Sequence, residues 1–268
     1  MSIIPKSAKR VLDIIELLAC FPEGLTFSEI CERLGLPKSS LNALLQVLTS
    51  RGYVELDSTN RYVLGIKLME LSNVHVDTRD LVEVAEPTMR LIRDLTHETV
   101  NLATLDGVDV IFLHKKLAVS ALRYDTAVGS RMPAHASSVG KAMLSTFTDE
   151  EIHAFYPQDG LIGFGPNCLR TVEALITQLQ EGRQAGFATD HEEGLVGVHA
   201  VGSPIRDRTG QAVAGLSIAF PKARANDEIE RKLAATVKAG AQIVSAKLGH
   251  STSEPIPNFD NLKAIWAG

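Results

Sequence analysis

Between Ala8 and Cys20 the apolar residues Val11, Ile14, Ile15, Leu17 and Leu18 recur at helical spacing with charged residues opposite them, which predicts an amphipathic helix. Pro22, Glu23 and Gly24 stop it, and Thr26 followed three residues later by Glu29 is a capping-box signature for a second helix. That helix ends at Leu34-Gly35-Leu36. Pro37 opens a third helix running to about Ser50, with Leu41, Leu44, Leu45 and Leu48 as its inner face. Beyond Gly52, Tyr53 to Leu56 and Arg61 to Leu64 read as short strands flanking the turn composition Asp57-Ser58-Thr59-Asn60. Three helices followed by a small hairpin is the layout of a winged helix-turn-helix.

Residues 66–80 are helical in pattern, Pro87 follows shortly after, and the segment reads as a connecting helix. From Val100 the period shifts toward two. Val100 to Leu105 and Val108 to His114 form a hairpin across Asp106-Gly107. Helices are predicted at 138–146, 149–156 and 172–185, and strands near 187–189, 198–204 and 212–220, the last two joined about Asp207 to Gly210. A final helix spans about 227–248. The fold class is therefore α+β, with helices on a mostly antiparallel sheet. The expected division is 1–65 for the winged helix-turn-helix, 66–82 for a linker helix, 83–250 for the second domain and 251–268 for a polar tail.

Length agrees with two modest domains: the chain has 268 residues, 45% of them hydrophobic and 22% charged, enough to bury real cores. Its longest apolar runs, such as Leu17 to Phe21, are far short of the roughly 20 residues a membrane span needs. Lys6, Lys9, Arg10, Asp13 and Glu16 interrupt the region where a signal peptide would be apolar, so a cytoplasmic location is expected. Cys20, Cys31 and Cys168 fit neither a disulfide framework nor paired zinc-ligand spacing and read as reduced residues. The net charge of −5 opposes nucleic-acid binding only until it is mapped. The first 75 residues carry eight basic and eight acidic side chains, so the whole deficit falls later in the chain.

In a helix-turn-helix the second helix of the pair offers its N-terminal residues to the major groove. Lys38, Ser39, Ser40 and Asn42 are donors on that first turn, with Arg51 and Arg61 at the edges of the following hairpin. The same residues would also serve as an ordinary helix start in a small bundle. In the second domain, Ser137 and Ser138 begin a helix after Pro133, where amides and hydroxyls can hold a carboxylate or merely cap the helix.

The stretch from Ala8 to Gly65, ending Tyr62-Val63-Leu64-Gly65, resembles the N-terminal domain of IclR-type transcriptional regulators. Further matches are Pro133-Ala134-His135-Ala136-Ser137-Ser138-Val139-Gly140-Lys141, Glu193-Gly194-Leu195-Val196-Gly197-Val198 with Ser203-Pro204, and Gly215-Leu216-Ser217-Ile218. The resemblance covers about residues 8–249. It implies a GAF-like effector-binding domain, a homodimer or dimer of dimers, double-stranded operator DNA as partner and a small organic acid as effector, with no cofactor, metal or membrane partner. It implies a non-enzymatic regulator of a catabolic operon, first of all a repressor that ligand releases, with an activator as the alternative. The implied DNA contacts are Thr26, Lys38, Ser39, Ser40, Asn42, Arg51 and Arg61. The implied effector pocket comprises Ser138, Val139, Asp190, Ala200, Ser217 and Ala219. Ser217 and Ala219, two apart on a strand, share a face on geometry alone. A carboxylate such as Asp190 in an anion pocket favours a ligand with a hydroxyl or other donor, hence a hydroxy- or keto-acid, sugar-derived acids included. The sequence departs from the family at Ala43, commonly arginine, and at Ala219, often serine.

Competing chemistry draws on the same residues. Ala136-Ser137-Ser138-Val139-Gly140 is a variant nucleophile elbow, followed in hydrolase order by Asp190 and His199, but residues 131–135 contain Pro133 and predict no strand leading into it. Gly140-Lys141 lacks the first glycine and the hydroxyl of a P-loop, and His191-Glu192-Glu193 lacks the second histidine of a zincin. A metabolite-binding protein or serine hydrolase without a DNA role is the alternative.

Overall fold

The structure is a computed structural model that describes residues 5–72, 76–120, 123–156, 161–163, 165–252 and 255–267. The chain divides into two compact units, Met1–Arg79 and Asp80–Gly268.

The first unit contains α1 (Lys6–Ala19), α2 (Phe27–Leu34), α3 (Lys38–Ser50), β1 (Val54–Leu56), β2 (Tyr62–Leu64) and α4 (Lys67–Ser72). Its core draws on residues the periodicity marks, Ile14 and Leu18 of α1 and Leu41, Leu45 and Leu48 of α3, together with Ile30 of α2, while Val11, Ile15, Leu17 and Leu44 are partly buried against it. The Thr26 hydroxyl accepts from the Glu29 amide while the Glu29 carboxylate accepts from the Thr26 amide at 2.7 Å, closing the capping box. Gly35 ends α2 at φ 60°, a left-handed conformation that a residue with a Cβ adopts only at a cost. The wing pairs Val54 with Leu64 and Leu56 with Tyr62. Asp57 folds its tip by accepting from the amides of Thr59 and Arg61 at 2.8 and 2.9 Å. Leu25 exchanges backbone hydrogen bonds with Tyr62 and ties the wing to the helices.

The second unit takes in most of α5 (Val76–Thr96), within which the division falls, and contains β3 (Thr99–Asp106), β4 (Asp109–Lys116), β5 (Arg131–Pro133), α6 (Ser138–Leu144), α7 (Asp149–Phe155), α8 (Val172–Ala185), β6 (Ala188–His191), β7 (Val198–Arg206), β8 (Ala212–Pro221), α9 (Asp227–Lys247) and α10 (Phe259–Trp266). The six strands make one antiparallel sheet in the order β5-β4-β3-β8-β7-β6. One face carries Val100, Leu216 and Ile218 and packs on α5 and α9 through Met89, Ile92 and Val237. The other carries Val110 and Phe112 and packs on α6, α7 and α8 through Val139, Ile152 and Leu175.

Three expectations change. The helical segment expected over 66–82 runs further than its expected end: α4 covers Lys67–Ser72, residues 73–75 lie outside the described residues, and α5 continues through Pro87 to Thr96. Pro87 removes one helical hydrogen bond, but Leu81, Ala85, Met89 and Ile92 form a buried stripe on either side of it that holds the helix to the sheet. A short strand does exist at Arg131–Pro133, paired with β4. It lies at the sheet edge, where the missing proline N–H costs no ladder bond. The segment 251–268 is more than a polar tail. Asn258 caps α10 with a capping box, Leu262 is buried, and the Trp266 indole donates to Thr236 Oγ1 on α9 at 2.8 Å. Among the described residues, no helix is long and apolar enough to cross a membrane.

Candidate functional site

On the first unit, α3 buries Leu41, Leu45 and Leu48 and leaves Lys38, Ser39, Asn42, Ala43 and Gln46 exposed on its opposite side. Gln46 was missed by the sequence reading, although its spacing of four from Asn42 marks the same face. Three other candidates have structural partners. Ser40 accepts a hydrogen bond from the Arg10 guanidinium of α1 at 3.1 Å. Thr26 is held in its capping box. Arg61 donates to the Gly24 carbonyl at 2.9 Å and pairs with Glu29 at 3.3 Å, bracing the wing against α2. Arg51 caps the far end of α3, so it stands about 20 Å along the axis from Lys38 at 1.5 Å per residue.

In the second unit the sheet register assembles the other candidates. Asp190, Ala200 and Ala219 are direct cross-strand neighbours on β6, β7 and β8, and Gly202, Ser217 and Asn101 form the next row on β7, β8 and β3. Alternation sends both rows to the face covered by α6. Gly202 is required there: a Cβ at this position would come within 2.7 Å of the Ser138 and Val139 backbone, so only glycine lets the start of α6 lie directly on β7. Ser137 caps α6 by accepting from the Gly140 amide at 3.1 Å.

Ser138, Val139, Asp190, Ala200, Ser217 and Ala219 all line one cleft between α6 and the sheet. Its cavity volume is about 30 Å³, so it is a narrow slot. Phe112, Met132, Leu195 and Val198 supply apolar walls, and Asn101 and Tyr124 complete the lining. Sequence reasoning missed these. Asn101 had a signal, a polar amide set between the apolar residues Val100 and Leu102 of one strand; Met132 and Tyr124 had none.

Two polar groups define the slot. The Asn101 side chain is buried, and its carbonyl oxygen has no hydrogen-bond partner among the described residues. A buried acceptor left bare in this way is a place for a ligand donor. Asp190 is also buried and accepts from the Glu193 amide at 2.8 Å. Burial pushes its carboxyl up to about 6, against the opposing pull of that amide and of Lys141. Lys141 itself is turned away from the slot into an ion pair with Glu193 at 2.5 Å, and it also donates to Gln178 at 2.6 Å.

The IclR helix-turn-helix domain matches residues 7–58, and the C-terminal domain of the bacterial transcriptional regulator IclR matches residues 74–246. This chain belongs to the IclR family. Curated relatives of this IclR-family chain include the HTH-type transcriptional regulator KdgR of Dickeya chrysanthemi, 30% identical over 249 residues that make up 92% of this chain and 82% of KdgR. The HTH-type transcriptional repressor AllR of Escherichia coli K12 is 31% identical over 245 residues, 91% of this chain and 90% of AllR. Among solved structures, Thermotoga maritima IclR superposes with a TM-score of 0.78 at 26% identity, covering 91% of this chain and 99% of that one. An IclR homolog from Microbacterium hydrocarbonoxydans, complexed with 4-hydroxybenzoate, superposes with a TM-score of 0.79 at 25% identity and the same coverage. The IclR-family chain is a DNA-binding transcriptional regulator, and these relatives are regulators rather than enzymes. The geometry agrees on the hydrolase alternative: His199 alternates to the opposite face of the sheet from Ser138 and bonds Glu230 at 2.9 Å, so it cannot serve the elbow serine as base.

Proposed function

We propose that this protein is a repressor of a catabolic operon and that a small hydroxy- or keto-acid, bound in the slot between α6 and the sheet, releases it from operator DNA. The observation that carries this reading is the slot itself, which gathers six candidate residues from four separate elements and leaves one bare acceptor, Asn101 Oδ1, inside it. A ligand hydroxyl donates to Asn101 or Asp190 while its carboxylate takes the opposite end, near the start of α6. The 4-hydroxybenzoate bound by the Microbacterium relative has this pairing of carboxylate and hydroxyl. Lys38, Ser39 and Asn42 contact the major groove, with Gln46 extending the surface by a turn. Ser40, Thr26 and Arg61 act mainly by holding that surface in place. Two copies present paired helices to a two-fold operator, as readers of this kind do.

The test is operator binding with and without candidate acids, using duplexes selected from a random pool. Ligand coupling of about 5- to 150-fold is the expected range. Ser217→Leu fills the slot and Asp190→Ala removes its acid; both are expected to keep DNA affinity and lose the ligand response. A Ser217→Leu protein that responds like wild type places the sensor elsewhere.

A further inference from the structure

His191 ends β6 and His199 stands directly across from it on β7, with side chains on the face opposite the slot. Glu230, in the first turn of α9, reaches both. Its Oε2 lies 3.1 Å from His191 Nε2 and its Oε1 lies 2.9 Å from His199 Nδ1. The two imidazoles are 4.7 Å apart between centroids, inclined at 62°. We propose that these three side chains are a binding site for a divalent transition-metal ion of the zinc, cobalt or nickel class.

The donor set is the first argument. Two imidazoles and one carboxylate make a three-ligand protein set that zinc takes with a fourth position left for water or an anion. Geometry is the second. Tetrahedral bonds of roughly 2.0–2.1 Å place donor atoms about 3.4 Å apart. All three donor atoms here lie within 4.8 Å of one another, so small side-chain rotations close the set around an ion. The third argument is the scaffold. The ligands stand on two hydrogen-bonded strands and on a helix whose Val237 and Val244 are locked into the core, so the backbone positions are fixed before any ion arrives. Access is the fourth: the His191 side chain is 44% exposed and gives an entry path, whereas that of His199 is only 13% exposed and has Phe220 beside it.

Neighbouring charges leave the site to these three. Glu192 is engaged by Lys222 at 2.5 Å and by the Gly197 amide at 2.9 Å. Sequence motifs give no hint of the site because the ligands are 8 and 31 residues apart and meet only through the strand pairing and the packing of α9. An ion here ties β6, β7 and α9 together one residue away from Asp190 and Ala200, so it stiffens the strands that form one wall of the slot.

The experiment uses tag-free, full-length protein stripped with EDTA and titrated with zinc by calorimetry and with cobalt(II) by absorption. One equivalent of metal per chain is expected, with visible cobalt bands and no thiolate charge-transfer band, since Cys20, Cys31 and Cys168 take no part. His191→Ala, at an exposed ligand, and His199→Ala are each expected to lower affinity by roughly 10- to 100-fold or more. Zinc should raise the melting temperature of wild type and leave His191→Ala unmoved, while the two melt alike in EDTA. Absence of one-equivalent binding, binding that survives both substitutions, or a cobalt spectrum with a thiolate band would each overturn the proposal.

Discussion

Lys141 and Glu193 form an ion pair from which water is almost excluded, with side chains 1% and 4% exposed and the ammonium 2.5 Å from both carboxylate oxygens. The pair joins the middle of α6 to the turn that follows Asp190, so both sides of the slot depend on it. Removing one partner leaves the other charge buried and unmatched. Lys141→Met is therefore expected to destabilise the second unit by about 3–5 kcal/mol, and the double replacement Lys141→Met with Glu193→Leu to recover much of that loss. Urea unfolding of the two variants beside wild type measures it; equal losses in both would show that the charge pairing is not what matters.

At Gly202 the constraint is space. A valine there would press its Cβ into the Ser138 and Val139 backbone, which cannot move without dragging the whole of α6. Gly202→Val is expected to cost about 1–3 kcal/mol or more and to abolish the ligand response while the first unit still folds. Near-wild-type melting with an intact response would contradict the close approach of α6 to β7.

DNA affinity should be salt-dependent in a way that one residue controls. Lys38→Ala is expected to weaken binding to all sequences and to reduce the log-log salt slope by about 0.9 for each phosphate that is no longer neutralised. Asn42→Ala and Gln46→Ala are expected to relax base preference with little change in that slope. Fluorescence anisotropy at several salt concentrations separates the two behaviours. Indifference of all three variants would remove α3 from the groove.

The buried carboxyl of Asp190 sets a pH dependence whose sign can be stated. Burial raises it from 3.8 when unfolded to about 6 when folded. Between those values the folded chain holds a proton that the unfolded chain has released, so stability from this group declines as pH rises from about 4 to about 6 and stays at the lower level above. Asp190→Asn is expected to flatten this segment and to stabilise the protein near neutral pH by about 1–3 kcal/mol. Urea midpoints for both proteins across about pH 4 to pH 7 test it, and parallel curves would refute it.

The helices and wing of the first unit were legible because each element has its own punctuation: Thr26 with Glu29, Gly35, Pro37 and Gly52 fall at the boundaries, and the leucines of α3 keep one period. The six slot candidates came through resemblance; the residues by themselves supported only Ser138, as a helix start able to hold an anion, and the shared face of Ser217 and Ala219, from strand alternation. Asn101 became a lining residue only once its register opposite Ser217 was known, because cross-strand position is not written in local sequence. Pro87 misled for the opposite reason. A local breaker rule yielded to a buried stripe that tertiary packing supports. The short strand at Arg131–Pro133 was hidden in the same way, since edge pairing tolerates a proline that propensity rejects.

Trp266 is the only tryptophan of the chain, and its indole is hydrogen-bonded to Thr236 in the helix that runs across the sheet of the second unit. A single indole, which can be excited apart from the four tyrosines, therefore sits at the seam between the last helix and the body of that unit. Its emission follows detachment of α10 and carries no direct signal from α1, α2 or α3, whereas far-ultraviolet circular dichroism sums all of them. Recorded together during denaturation, the two signals distinguish a chain that melts in one step from one whose halves let go separately.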